Sequence, residues 1–270
     1  MIGITKYLYI HILTIFLFIV CFLTGQLEQI LIAYAIMLVH EMSHLAAAVC
    51  IGLRPEKLVI YPFGVNLKLK NKMVYSLADE IILYAAGPLS NIAMALAAVC
   101  FFSDIPYSYD FYVQNMALFV VNLLPVVPLD GGIIVKKLLS YHIGNKKAEK
   151  LMQIISVFLI VVIAGAGAYF SAAGTFNYSL CFLCIFLILN IITSGEKYNI
   201  DFLRELLYYK ENKNLNKPVK TVVFAEKDDL AKIVSDFTGR YYYIVFLVNS
   251  NGKITQMLTE TEIIEKICKK

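Results

Sequence analysis

Long apolar runs separated by short polar stretches dominate the first 195 residues. Six of them, at residues 8–23, 27–51, 81–102, 111–127, 151–170 and 179–192, are candidate membrane spans. Most approach the roughly 17–25 residues that a spanning helix needs, and the sixth is the shortest. Between the second and third runs, residues 65–69 alternate apolar and polar positions, the period of a strand. Pro62 and Gly64 mark a bend just before it, so a short membrane-associated β-hairpin is expected there. After Gly195 the pattern changes. Residues 198–213 are amphipathic and charge-rich, and Asn214-Leu215-Asn216-Lys217-Pro218 breaks them. Extended segments are then expected at 221–224, 241–248 and 253–257, with helices at 229–237 and 260–267. Asn251-Gly252 between apolar runs is a hairpin signal.

Composition agrees with a membrane protein. The hydrophobic fraction is 59% and only 16% of residues are charged, against a usual apolar share of about half. The charges also give a direction. Lys6 precedes the first run. Arg54, Lys57, Lys68, Lys70 and Lys72 lie between the second and third, and Lys136, Lys137, Lys146, Lys147 and Lys150 between the fourth and fifth. All other Lys and Arg follow the sixth. Positive residues favour the cytoplasmic side, so both termini are expected in the cytoplasm, with the first run a retained anchor. The six cysteines suggest no disulfide framework. Cys181-x-x-Cys184 has metal-pair spacing but lacks a second pair, so packing explains it better.

The chemistry sits inside the second run. His40-Glu41-Met42-Ser43-His44 places two histidines at i and i+4, one above the other on a helix face. Two such imidazoles can bind zinc, and the glutamate between them can take a proton from water on that ion. Ionisable groups in an apolar span are costly and point to function.

A catalytic zinc usually takes three protein ligands. His11 lies near the start of the first run, and His142 follows a lysine pair in a solvated stretch. Asp130 is the better candidate. It closes Asn122-Leu123-Leu124-Pro125-Val126-Val127-Pro128-Leu129-Asp130-Gly131-Gly132, where two prolines end the fourth span and two glycines allow a tight bend. The second and fourth spans run in the same direction. His44 is then about 10 Å inside the cytoplasmic end of its helix, a depth that Asp130 can share.

The pair His40-Glu41-Met42-Ser43-His44 and Pro128-Leu129-Asp130-Gly131 resembles the site-2 protease family of intramembrane zinc metalloproteases. Gly87-Pro88-Leu89-Ser90-Asn91 adds a family-like G-P-x-x-N motif. The resemblance implies Zn2+ held by His40, His44 and Asp130, with Glu41 as catalytic base of a metalloendopeptidase. Six spans followed by a cytoplasmic tail resemble the sporulation branch of that family. That likeness implies a pro-sigma factor as substrate, membrane inhibitor proteins as partners, and residence in the mother-cell membrane around a forespore. The tail's strand–helix–strand–strand–helix order resembles a single cystathionine-β-synthase (CBS) module. Such a module implies self-association into a homo-oligomer and binding of ATP or another adenine nucleotide.

The expected fold is therefore a polytopic α-helical membrane protein with a small cytoplasmic α/β domain. Its expected divisions are a membrane-embedded protease domain at 1–195, a linker at 196–217 and a CBS-like domain at 218–270. Phe63, Gly64 and Val65 are candidate substrate contacts if the hairpin offers an edge strand to an unwound peptide. The same hairpin can instead lie at the interface with its lysines reaching toward headgroups. Asn122 is a further candidate contact. Asn122 and Asn91 can equally bond neighbouring helices, and Gly87 and Pro88 can serve close packing or a kink. Intramembrane His and Asp also suit a metal-ion transporter or channel, but no internal repeat supports that alternative. No direct nucleic-acid partner is expected.

Overall fold

The computed structural model describes residues 2–3, 8–10, 12–61, 64–70, 76–102, 104–172, 183–188, 218–225, 233–234, 237–238, 240–250 and 252–268. The chain forms two compact units. The first comprises Met1–Lys72, Ala78–Leu124 and Leu129–Gly131, and the second Met73–Leu77, Pro125–Pro128 and Gly132–Lys270.

In the first unit, four helices accompany one sheet. They are α1 (Ile12–Leu23), α2 (Leu27–Cys50), α3 (Leu77–Phe101) and α4 (Ser108–Leu123). Burial follows the helical period. On α2, Ile36, His40, His44 and Ala48 are buried at intervals of four. On α3, Leu83, Gly87, Asn91 and Ala95 repeat that spacing. The small residues in these stripes allow close helix approach, as expected where lipid rather than water surrounds the bundle. The outward positions are large and apolar. Phe16, Phe22 and Leu23 on α1 are each more than 60% exposed. Soluble surfaces rarely present such contiguous apolar area, so these faces suit lipid.

Helix ends fix the sense of packing within this unit. The hydroxyl of Ser108, at the start of α4, donates to the Ala98 carbonyl near the end of α3. Tyr107, just before α4, hydrogen-bonds Glu28 in the first turn of α2. The start of α2, the end of α3 and the start of α4 therefore share one end of the unit, and α2 and α4 run in the same sense.

The sheet has strand order β1-β2-β3-β4, built from β1 (Ile2–Gly3), β2 (Leu8–Ile10), β3 (Arg54–Tyr61) and β4 (Gly64–Lys70). The β3–β4 hairpin is antiparallel, with Ile60 opposite Val65 and Tyr61 opposite Gly64, and β4 is an edge strand among the described residues. Residues 8–10 correct the sequence reading. They pair in parallel with Leu58–Ile60 instead of opening the first span, and that span starts at Ile12. An apolar triplet followed by an apolar helix looks continuous in sequence, and only the backbone pairing separates them.

The second unit carries α5 (Asp130–Ile143), whose first two residues belong to the first unit, and α6 (Asn145–Ala172). Gly144 links these helices with φ near 86°, a left-handed conformation that suits glycine. Lys136 on α5 pairs with Glu149 on α6. The backbone N–H of Val127 donates to Ser156, which is buried. The tail sheet has order β5-β6-β7, with β5 (Val219–Ala225) parallel to β6 (Tyr242–Val248) and β6 antiparallel to β7 (Ile254–Thr259), followed by α7 (Glu260–Cys268). Tyr243, Val245 and Leu247 alternate inward along β6. The latter two share a core with Ile233, Val234, Leu258 and Ile263. Thr259 and Glu262 cap α7 reciprocally: the Thr259 N–H donates to the Glu262 carboxylate and the Glu262 N–H to the Thr259 hydroxyl.

Among the described residues, three helical stretches are long and apolar enough to cross a membrane: Leu27–Cys50, Leu77–Phe101 and Asn145–Tyr169. Two of the six expected spans are shorter. At 12 residues α1 covers about 18 Å, and at 16 residues α4 covers about 24 Å. Both fall below a hydrocarbon core of about 30 Å. Of the sixth expected span only 183–188 is described, and it is helical. The expected linker at 196–217 lies outside the described residues.

Candidate metal centre

Two helices carry the candidate ligands. His40 and His44 stand one turn apart on α2, their rings edge to face at 4.8 Å. Asp130 comes from the first turn of α5. It does not end α4 as the sequence reading has it: α4 stops at Leu123, before Pro125 and Pro128, and Asp130 opens a new helix. The two glycines after it serve close approach. A Cβ on Gly131 would lie 2.9 Å from the Leu123 Cα, and one on Gly132 2.7 Å from the Val127 nitrogen. Only hydrogen fits at both positions, so Asp130 is held tight against the end of the preceding segment.

The three side chains converge. His40 Nε2 lies 3.2 Å from Asp130 Oδ2, His44 Nε2 lies 3.3 Å from the same oxygen, and the two Nε2 atoms are 3.2 Å apart. Each imidazole uses its other nitrogen elsewhere. His44 Nδ1 donates to the Leu83 carbonyl at 2.7 Å, and His40 Nδ1 meets Asn91 Oδ1 at 2.8 Å. A carbonyl oxygen only accepts, so the proton of each neutral ring sits on Nδ1 and Nε2 is a bare lone pair. Two lone pairs and a carboxylate oxygen then face one another without a proton between them.

That arrangement fits a cation. Tetrahedral zinc with bonds of about 2.0–2.2 Å separates its ligand atoms by about 3.3–3.6 Å, and the triangle lies at the short end of that range. The alternative, a protonated histidine paired with Asp130, would favour about 2.7–2.9 Å. Asp130 Oδ2 is also buried with no hydrogen-bond partner in the structure, a state that costs about 1–3 kcal/mol or more when nothing compensates it. Among the described residues, these three form a cluster of metal-ligating type.

Comparison with known proteins agrees. The model of peptidase family M50 matches residues 102–163, which include Asp130. The stage IV sporulation protein FB of Bacillus subtilis is 28% identical over 250 residues, covering 90% of this chain and 84% of its own length. A zinc metalloprotease of Methanocaldococcus jannaschii is 24% identical over 231 residues, covering 83% of this chain and 64% of the relative. The solved structure of the site-2 protease from Methanocaldococcus jannaschii superposes with a TM-score of 0.53 at 22% identity, over 71% of this chain and 92% of that one, and shows the shared fold. The chain is thus similar to peptidase family M50 over part of its length and shares the fold of a site-2 protease.

Two of the relatives it resembles bear the name zinc metalloprotease, and the donor set here fits Zn2+. Glu41 follows His40 on α2 and is half-buried. Asn122 is half-buried in the last turn of α4. Gly64 and Val65 open β4, while Phe63 and His11 lie outside the described residues. His142 is exposed at the end of α5 and is not part of the cluster. Sequence reasoning left Asn91 undecided and missed the Leu83 carbonyl. The available signal was the spacing of Leu83, Gly87 and Asn91, which puts all three on one face of α3.

Proposed function

We propose that this protein is a site-2 protease that cuts a membrane-associated protein near the cytoplasmic face, with His40, His44 and Asp130 as zinc ligands and Glu41 as the base. The observation that carries the assignment is the triangle of three bare acceptors with sides of 3.2–3.3 Å. Zinc at such a site supplies Lewis acidity, polarising a peptide carbonyl and making water more acidic. The chain's own residues do the rest. His40 and His44 present fixed Nε2 lone pairs, Asp130 neutralises charge, and Glu41 receives a proton and returns it to the leaving amine.

The substrate must enter extended, because a helix hides its carbonyls. Edge strand β4 supports pairing with an unwound peptide along Gly64 and Val65, with Phe63 and Asn122 proposed as further contacts. The similarity to a stage IV sporulation protein supports a role in sporulation. The substrate proposed on the sequence resemblance is a pro-sigma factor, cut by a six-span protein with both termini cytoplasmic in the mother-cell membrane under the control of membrane inhibitors. The strand and helix order of residues 218–270 supports a CBS-like module that pairs two chains and takes an adenine nucleotide. Glu41→Gln tests the core of the proposal. Cleavage of a membrane substrate should fall by about 10²–10⁴-fold, the range for losing a general base, with zinc retained. Full cleavage by that variant would remove Glu41 from the mechanism.

A further inference from the structure

We propose that the face of α3 carrying Leu83, Gly87 and Asn91 is the positioning wall of the metal centre, and that Asn91 fixes the metal-binding form of His40. The inference rests on the zinc reading of the His40, His44 and Asp130 cluster and assigns new residues to it. Three observations converge on this face. Leu83 gives its carbonyl to His44 Nδ1 and Asn91 gives Oδ1 to His40 Nδ1. Between them Gly87 leaves the space the rings occupy: a Cβ there would lie 2.6 Å from His40 Nε2 and nearer still to His44 Nε2. Residues 83, 87 and 91 are successive turns of one helix, so a single rigid element meets both imidazoles.

The local chemistry suits the task. Pro88 follows Gly87 and has no N–H, so the helix lacks one hydrogen bond to the Tyr84 carbonyl. Asn91 is fully buried. Its Oδ1 is engaged by His40, while its Nδ2 has no hydrogen-bond partner in the structure. The acceptor oxygen is the atom in use. With a proton held on each Nδ1, both Nε2 lone pairs must face Asp130. Without Asn91, His40 can turn or adopt the other tautomer, and the triangle opens. Second-shell partners of ligating histidines are typically worth 10–100-fold in metal affinity or activity.

The test is zinc affinity of the purified full-length protein in detergent, measured by competition with a chromophoric chelator, beside its thermal unfolding in the zinc-free form. Asn91→Ala should weaken zinc binding about 10–100-fold. Asn91→Asp keeps an acceptor at the same atom and gives up only the unpartnered Nδ2, so it should stay within about threefold of the parent by this account. A purely structural Asn91 predicts the reverse. Asn91→Ala would then keep parental affinity with lowered thermal stability, and Asn91→Asp, with a buried carboxylate, would be the worse variant. That outcome would overturn the proposal. If Asn91→Ala does not fold, Asn91→Asp decides alone, by parental affinity or its loss. His40→Ala is the separate control. Zinc affinity unchanged in that variant would sink the zinc assignment itself, independently of Asn91.

Discussion

At the residue scale, two histidines, one aspartate and a stripe of α3 divide the work. The convergence of His40 and His44 was legible because H-E-x-x-H fixes two imidazoles on one helical face whatever the tertiary fold. Asp130 was legible because proline and glycine isolate it. The partners of the two Nδ1 atoms were not. A backbone carbonyl leaves no trace in sequence, and a buried Asn reads the same whether it bonds a helix or a ligand. Gly87 is where the wall is tightest. Gly87→Ala would push a methyl into both imidazole rings, which are anchored at Nδ1 and cannot yield without losing those bonds. Overpacking of this kind costs about 1–3 kcal/mol. We expect a lower unfolding temperature and loss of most bound zinc, measured by calorimetry and metal analysis. A Gly87→Ala protein with parental zinc content would show that the rings have room to move.

At the scale of elements, the tail strands, α7 and the β3–β4 hairpin were legible, because alternation and Asn-Gly turns are local signals. Helix α5 was not. Residues 130–143 begin with Asp-Gly-Gly and carry Lys136 and Lys137, which read as a loop. The glycines prove to serve close packing at the first turn, and Lys136 pairs with Glu149 across the following turn. Strand β2 was hidden for the opposite reason, since its apolar residues merge with α1. The edge position of β4 yields a further expectation. If substrate adds to β4 as a strand, disulfide cross-linking from a cysteine at Val65 should favour alternate substrate positions, the period of a strand. Cross-links recurring every three or four positions would mean that substrate docks as a helix, and the β4 assignment would fail.

At the scale of the whole molecule, the alternation of α2, α3 and α4 and the placement of basic residues bear on one topology. Glu28, Ala98 and Ser108 share one end of the helical unit. The lysine-rich segments lie after α2 and around the α5–α6 turn. Single cysteines in a cysteine-free background should therefore be labelled from outside at Asp104 and only from the cytoplasm at Lys146. Labelling of both from the same side would break the topology and the depth argument for the site. The account's central claim is that hydrolysis depends on zinc held by His40, His44 and Asp130. Its most direct test is metal content and substrate cleavage by the full-length protein in lipid vesicles, before chelation, after it, and after zinc is returned. The account predicts about one zinc per chain, loss of cleavage with its removal, and recovery with its return. Undiminished cleavage by metal-free protein would contradict it.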